Sequence, residues 1–155
     1  MNEIDFFIDD IRRTNNGIKL VFTNGIFDIL HRGHVAYLEK AKAMGDLLIL
    51  GLNSDESARR LKGKNRPYVG QDDRAFILSR LESVDIVSIF DDDTPNTLIE
   101  NIKPDVLVKG GDYNLDEIVG RDFVEKYGGK VCTIPFIKDK STTSLIDKIK
   151  NEYGV

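Results

Sequence analysis

The chain has 155 residues and a mass of 17.5 kDa, a size that predicts one domain over 1–155 with roughly 68–70% of the unfolded surface buried. Hydrophobic residues at 41% and charged residues at 31% are the balance of a soluble globular protein, and a net charge of -4 argues against a nucleic-acid binder held by a general positive field. The single Cys132 excludes an internal disulfide or a cysteine metal cage, the acidic start MNEIDFFIDDIRR does not read as a signal peptide, and no apolar run is long enough to span a bilayer, so a cytoplasmic protein is expected.

A helix is predicted over 3–13 from Ile4, Phe7, Ile8 and Ile11, followed by a short strand at 19–24. Val35, Leu38 and Ala41 recur at a helical step in 33–44, and DLLILGL at 46–52 reads as a second strand. A short helix and the loop 62–70 lead to a helix at 71–82, whose Ile77, Leu78 and Leu81 share a face. Strand 85–90 is next. The helix at 94–103 opens with Thr94 as cap and Pro95 at its first position, buries Leu98, Ile99 and Ile102, and closes at Pro104. Strand 105–109, the glycine-containing loop 110–120, strand 130–136 and a helix at 142–150 bearing Leu145, Ile146 and Ile149 complete the chain. The strands lack strict polar alternation, as strands covered on both faces do. The alternation predicts a doubly wound, Rossmann-like α/β fold, with a parallel sheet of about five strands and helices on both faces.

Ligands of such sheets bind beyond the carboxyl ends of the strands. The first strand ends in Thr23-Asn24-Gly25-Ile26-Phe27-Asp28 and runs through Ile29-Leu30-His31-Arg32-Gly33-His34 into a helix. A helix start suits a phosphate, His31 and His34 fall on one side of the first turn, and Gly33 leaves room for an anion. These are the only 2 histidines. A histidine beside an apolar run is more often structural, and zinc would need a third ligand, which a nearby acidic residue would have to supply. The spacing and the placement after strand one favour phosphate. Lys62, Lys64 and Arg66 in the loop after strand two read as a solvated cationic surface or as phosphate contacts, and Arg74 as a planar grip on phosphate or a surface arginine. Lys109-Gly110-Gly111-Asp112 follows strand four. Ser141, Thr142 and Thr143 form either a simple helix cap or a second anion site. Asp91-Asp92-Asp93 reads as a solvated turn.

The string GIFDILHRGH resembles the HxGH signature of the nucleotidyltransferases related to cytidylyltransferases. The likeness continues through LNSDES, LKGKNRP, LESVD, DTP, VKGGDY and STTSLI, where VKGGDY with STTSLI is similar to the adenylyltransferases of bacterial heptose biosynthesis. It implies transfer of AMP from ATP to a sugar 1-phosphate, a heptose 1-phosphate above all, by direct in-line attack with release of pyrophosphate. His31, His34, Lys62 and Lys109 would be catalytic. Thr23, Asn24, Gly25, Phe27, Asp28, Gly33, Arg74, Ser141, Thr142 and Thr143 would hold the nucleotide, and Lys64, Arg66, Gly110 and Asp112 the sugar phosphate. Asp28 would orient a histidine or bind a metal. Mg2+ is expected with ATP, since it bridges phosphates and keeps several waters, so few protein ligands would show in the sequence and no residue is assigned to the metal alone. The resemblance further implies a homodimer and, as no kinase domain fits in 155 residues, a separate heptose kinase in the pathway. Neither a nucleic acid nor a membrane is an expected partner.

Two other functions remain at this stage: a glycerol 3-phosphate cytidylyltransferase using CTP, and a non-catalytic nucleotide-binding module. A dinucleotide oxidoreductase is disfavoured because the first turn lacks G-x-G-x-x-G.

Overall fold

The computed structural model describes residues 3–111, 114–135, 137 and 141–153. Five short apolar segments form strands: β1 (Leu20–Gly25), β2 (Leu47–Asn53), β3 (Ile86–Phe90), β4 (Val106–Gly110) and β5 (Lys130–Ile134). The helices are α1 (Glu3–Thr14), α2 (Arg32–Lys42), α3 (Asp55–Lys62), α4 (Gln71–Leu78), α5 (Asn96–Ile102), α6 (Arg121–Lys126) and α7 (Thr142–Tyr153). All strand pairs are parallel and the sheet order is β3-β2-β1-β4-β5, the doubly wound arrangement expected. The order reverses beside β1, and that reversal is where such a sheet opens a crevice.

Aspartates at three strand entries set the register. Asp46, Asp85 and Asp105 accept the backbone N–H of Lys19, Leu48 and Leu20 at 2.7, 2.6 and 2.8 Å, so each carboxylate satisfies an N–H in or beside a neighbouring strand. Above them the pleat divides the side chains between two cores. Val21, Leu48, Leu50, Val106 and Val108 face α2 and α4 through Leu38, Ala41 and Leu78. Leu20, Phe22, Ile49 and Leu107 face α1, α5 and α6 through Ile8, Leu98, Ile99, Ile102 and Val124. Gly51 is required on this second face, since a Cβ there would stand 2.9 Å from Phe22 Cζ and 3.2 Å from Leu98 Cδ2.

The structure corrects several details. The loop after β4 holds a 3-10 turn at Leu115–Glu117 and then α6, which was not expected. Its hexapeptide RDFVEK has two adjacent apolar residues and too little length to show a period. Helix α4 stops at Leu78, short of 82, and leaves Ile77 43% exposed while Leu78 is buried. Pro95, not Thr94, caps α5, without a side-chain hydrogen bond, and Thr94 is exposed. Phe7, Leu145 and Ile149 are exposed rather than part of buried stripes. β5 ends at Ile134, and Phe136, the last residue of its expected range, lies outside the described residues. The Asp91-Asp92-Asp93 run is a turn, and it is held by Arg60, whose Nε donates to Asp93 at 2.6 Å, and by the Ser54 hydroxyl, which donates to Asp91.

Candidate active site

At the reversal point a crevice of about 410 Å³ opens beyond the carboxyl ends of the strands. Its walls come from segments following β1, β2, β4 and β5, the convergence that the sequence predicts.

The segment after β1 is folded tightly. Phe27 and Ile29 adopt φ values of 51° and 46°, a region that non-glycine residues rarely occupy, so the loop carries strain on either side of Asp28. Phe27 turns its ring back over Gly25, where a Cβ would come within 2.8 Å of the ring, and meets His34 edge-on at 5.3 Å. Glycine at 25 and phenylalanine at 27 together set the plane of His34.

His31 and His34 stack at 3.8 Å between centroids with 19° between planes. They also cap α2 reciprocally: His31 Nδ1 accepts from Gly33 N at 3.1 Å, and His34 Nδ1 accepts from His31 N at 3.4 Å. Both Nδ1 lone pairs are therefore used, so a ring in its neutral form carries its proton on Nε2. Burial, with the charge of His31 adding and Asp28 opposing, pulls the pKa of His34 down to about 4. At pH 7 His34 is a neutral donor. The Gly33 N–H is committed to His31, so the imidazoles rather than that amide are the donors this turn offers an anion.

Asp28 ties neighbouring segments of the site together and, by its charge, favours a proton on His34. Its buried carboxylate accepts from Arg66 Nε at 2.9 Å, from Tyr68 N at 2.9 and 3.0 Å, and from Val69 N at 3.0 Å. Its carbonyl accepts from the Thr142 hydroxyl at 2.6 Å. It thus fastens the basic loop after α3 and the start of α7 to the histidine loop. No group of His, Cys, Asp or Glu fit to hold a metal occurs among the described residues.

Lys109 lies on β4 with Nζ 2.7 Å from Asn24 Oδ1, and burial lowers its pKa to about 8. Lys62, Arg66, Gly110, Ser141, Thr142 and Thr143 share the crevice with it. Three expected residues do not line it. Thr23 is buried, its hydroxyl 2.6 Å from that of Tyr37. Lys64 is exposed, the solvated alternative. Arg74 is 2% exposed and donates to the carbonyls of Val69, Ile26 and Asn53 and to Asp55 Oδ1 at 2.6–3.0 Å. Its guanidinium is occupied in clamping the loop beneath the site instead of gripping phosphate. Asp112 lies outside the described residues.

The sequence reading missed Ile26, Tyr37, Asn53, Leu61 and Ile137 in the lining. Asn53 carried a usable signal, a polar residue at the carboxyl end of a buried strand. Tyr37 did not, because its ring fits the apolar stripe of α2 and only its hydroxyl is out of place there.

The sheet order and the place of the crevice define a doubly wound α/β protein that takes its ligand at the switch point. Residues 22–147 match the family described as cytidylyltransferase-like, and the chain belongs to that family. It is 59% identical over 138 residues to the bifunctional protein HldE of Geobacter sulfurreducens, covering 89% of this chain and 28% of that protein. The HldE of Alcanivorax borkumensis is 52% identical over 145 residues, 94% of this chain and 30% of that protein. The chain therefore spans under a third of the curated relatives it matches. Among solved structures, a lipopolysaccharide core biosynthesis protein from Thermoplasma volcanium superposes with a TM-score of 0.64 at 31% identity, covering 79% of this chain and 98% of that one. A pantoate-beta-alanine ligase from Francisella tularensis shares the fold, with a TM-score of 0.54 at 15% identity over 97% of this chain and 76% of its own.

Proposed function

We propose that residues 1–155 act as one nucleotidyltransferase domain that transfers AMP from ATP to a sugar 1-phosphate, with D-glycero-D-manno-heptose 1-phosphate as the intended acceptor. The observation that carries this reading is the stacked pair His31 and His34, whose Nδ1 atoms both accept backbone N–H groups, at the crevice where β1 gives way to α2. High identity to the HldE proteins and the VKGGDY and STTSLI strings support the adenylyl and heptose parts.

A phosphate oxygen of the sugar phosphate attacks the α-phosphorus of ATP in line. The new O–P bond forms as the bond to pyrophosphate breaks, and pyrophosphate departs. Charge grows on the non-bridging and leaving oxygens, so the protein contributes positioning and donors rather than a nucleophile. The two Nε2–H groups meet the phosphate chain, Lys109 and Lys62 supply cationic charge, and Arg66 and the Ser141–Thr143 segment receive the second phosphate group. Magnesium would enter with ATP and would offset phosphate charge; among the described residues no group of His, Cys, Asp and Glu fits it apart from the nucleotide. The acceptor itself must come from a phosphoryl-transfer step that leaves phosphate on the anomeric oxygen. A cytoplasmic location and a homodimer belong to the same proposal.

Pyrophosphate release measured with each of the four nucleoside triphosphates against heptose 1-phosphate, other sugar 1-phosphates and glycerol 3-phosphate tests the reading. ATP with heptose 1-phosphate should give the highest kcat/KM. A preference for CTP with glycerol 3-phosphate would replace the proposal with a cytidylyl transfer, and no release with any pair would leave a binding module.

A further inference from the structure

The two strands on either side of the switch point part before they end. The ladder between β1 and β4 pairs Val21 with Val106 and Phe22 with Leu107 and goes no further. At the next step the Tyr37 hydroxyl enters from α2, donating to Val108 O at 3.3 Å and pairing with Thr23 Oγ1 at 2.6 Å. Backbone hydrogen bonds thus no longer fix the end of β4 against β1. One step beyond, a side-chain bond spans the gap, from Lys109 Nζ to Asn24 Oδ1 at 2.7 Å.

We infer that Asn24 is a positioning residue: its amide oxygen reaches across the parted strands and holds the Lys109 ammonium over the crevice, where that ammonium meets the phosphates of the nucleotide. The inference rests on the nucleotidyltransferase reading given above. An amide suits this task better than a carboxylate. A carboxylate at the same place would neutralise the ammonium and repel the incoming anion, whereas a neutral acceptor aims the cation and leaves its charge for the ligand. Among the described residues no ion pair joins Lys109 to a carboxylate, and its ammonium donates to the Asn24 amide oxygen. The titratable groups that share the crevice are His31 and His34 from the start of α2, Asp28 from the loop before it, Lys62 and Arg66 from the segment after β2, and Tyr37 beneath. Of these, Asp28 is already engaged with Arg66.

The test is the pH profile of kcat/KM, which reports groups of the free enzyme. Burial brings Lys109 to about 8, so the wild-type rate should fall along an alkaline limb centred near that pH. Asn24→Asp should move the limb upward by about one unit or more, because an opposite charge now favours the ammonium. Asn24→Ala should move it downward and lower kcat/KM at pH 7 by about 10- to 100-fold, the effect of losing one hydrogen bond to a charged group. Lys109→Arg should remove the limb up to pH 10, because guanidinium does not titrate there. If both Asn24 variants melt like wild type and keep the limb in place, or if Lys109→Arg keeps it, the inference is overturned. Should Asn24→Ala fail to fold, the Asp and Arg variants still decide. Calorimetric affinity for Mg·ATP over the same pH range reads the same limb without turnover. A wild-type protein that binds ATP with this limb but transfers nothing would remove the proposed reaction and keep the Asn24 assignment.

Discussion

Replacing Asp28 by alanine would unfasten the basic loop after α3 from the histidine loop, while the Asp28 carbonyl would still hold Thr142. Its side chain is 1% exposed and accepts two backbone N–H groups, of Tyr68 and Val69, together with Arg66 Nε. Hydrogen bonds to a charged acceptor contribute about 1.5–3 kcal/mol each, and breaking a buried pair by removing one partner costs about 3–5 kcal/mol. Two effects offset part of that loss. The freed loop can turn its amides to water, and the strain at Phe27 and Ile29, about 1–3 kcal/mol each, is no longer enforced. A net destabilisation of about 3 kcal/mol follows, which for a domain of this size lowers Tm by roughly 6–12 °C. Thermal denaturation measures the total, and amide hydrogen exchange locates it: the Tyr68 and Val69 amides should lose protection far more than those of β2. A variant with a Tm within about 2 °C of wild type and unchanged protection at both amides would refute the fastening role.

His34→Ala should lower kcat by on the order of 100–1,000-fold in a folded protein, the effect of removing one transition-state donor, read by pyrophosphate release. The pH dependence of stability follows from the same residue. Its folded pKa of about 4 lies below the unfolded value of 6.5, so the unfolded chain binds the proton first as pH falls. The His34 contribution is complete above about pH 6.5 and is lost between there and about pH 4, on the order of 3 kcal/mol in all. Urea midpoints from pH 7 to 4.5 should show this slope in wild type and not in His34→Ala. Arg74→Met should destabilise the protein by about 3–5 kcal/mol, since it leaves buried carbonyls and Asp55 without their donor. Unchanged stability with a tenfold rise in the KM for ATP would return Arg74 to the phosphate-gripping role.

The sheet was legible because each strand is a compact apolar run bounded by polar residues, and four of the five lie within one residue of expectation at both ends. Helix faces were less so. Ile77, Leu145 and Ile149 fit a helical stripe by spacing, yet their exposure depends on which neighbours arrive, which a single helix does not encode. The site was readable as a set of residues and not as a set of roles. Asp28 and Arg74 carry the charges that phosphate chemistry uses, and burial turned both inward to hold loops. Asn24 looked like a ligand contact, and only the parting of β1 from β4 gives it a partner in Lys109. Reciprocal capping by the histidines was similarly hidden: their spacing placed them on one side of a turn, while the tautomer follows from which nitrogen faces the backbone.

Nitrogen-15 NMR of the two labelled imidazoles, recorded with and without a non-hydrolysable ATP analogue and magnesium, tests the account at its centre. Both rings should report protonation on Nε2 at pH 7, and both Nε2 resonances should shift as the analogue binds. An analogue that binds the crevice while both rings stay unperturbed, or rings protonated on Nδ1, would contradict it.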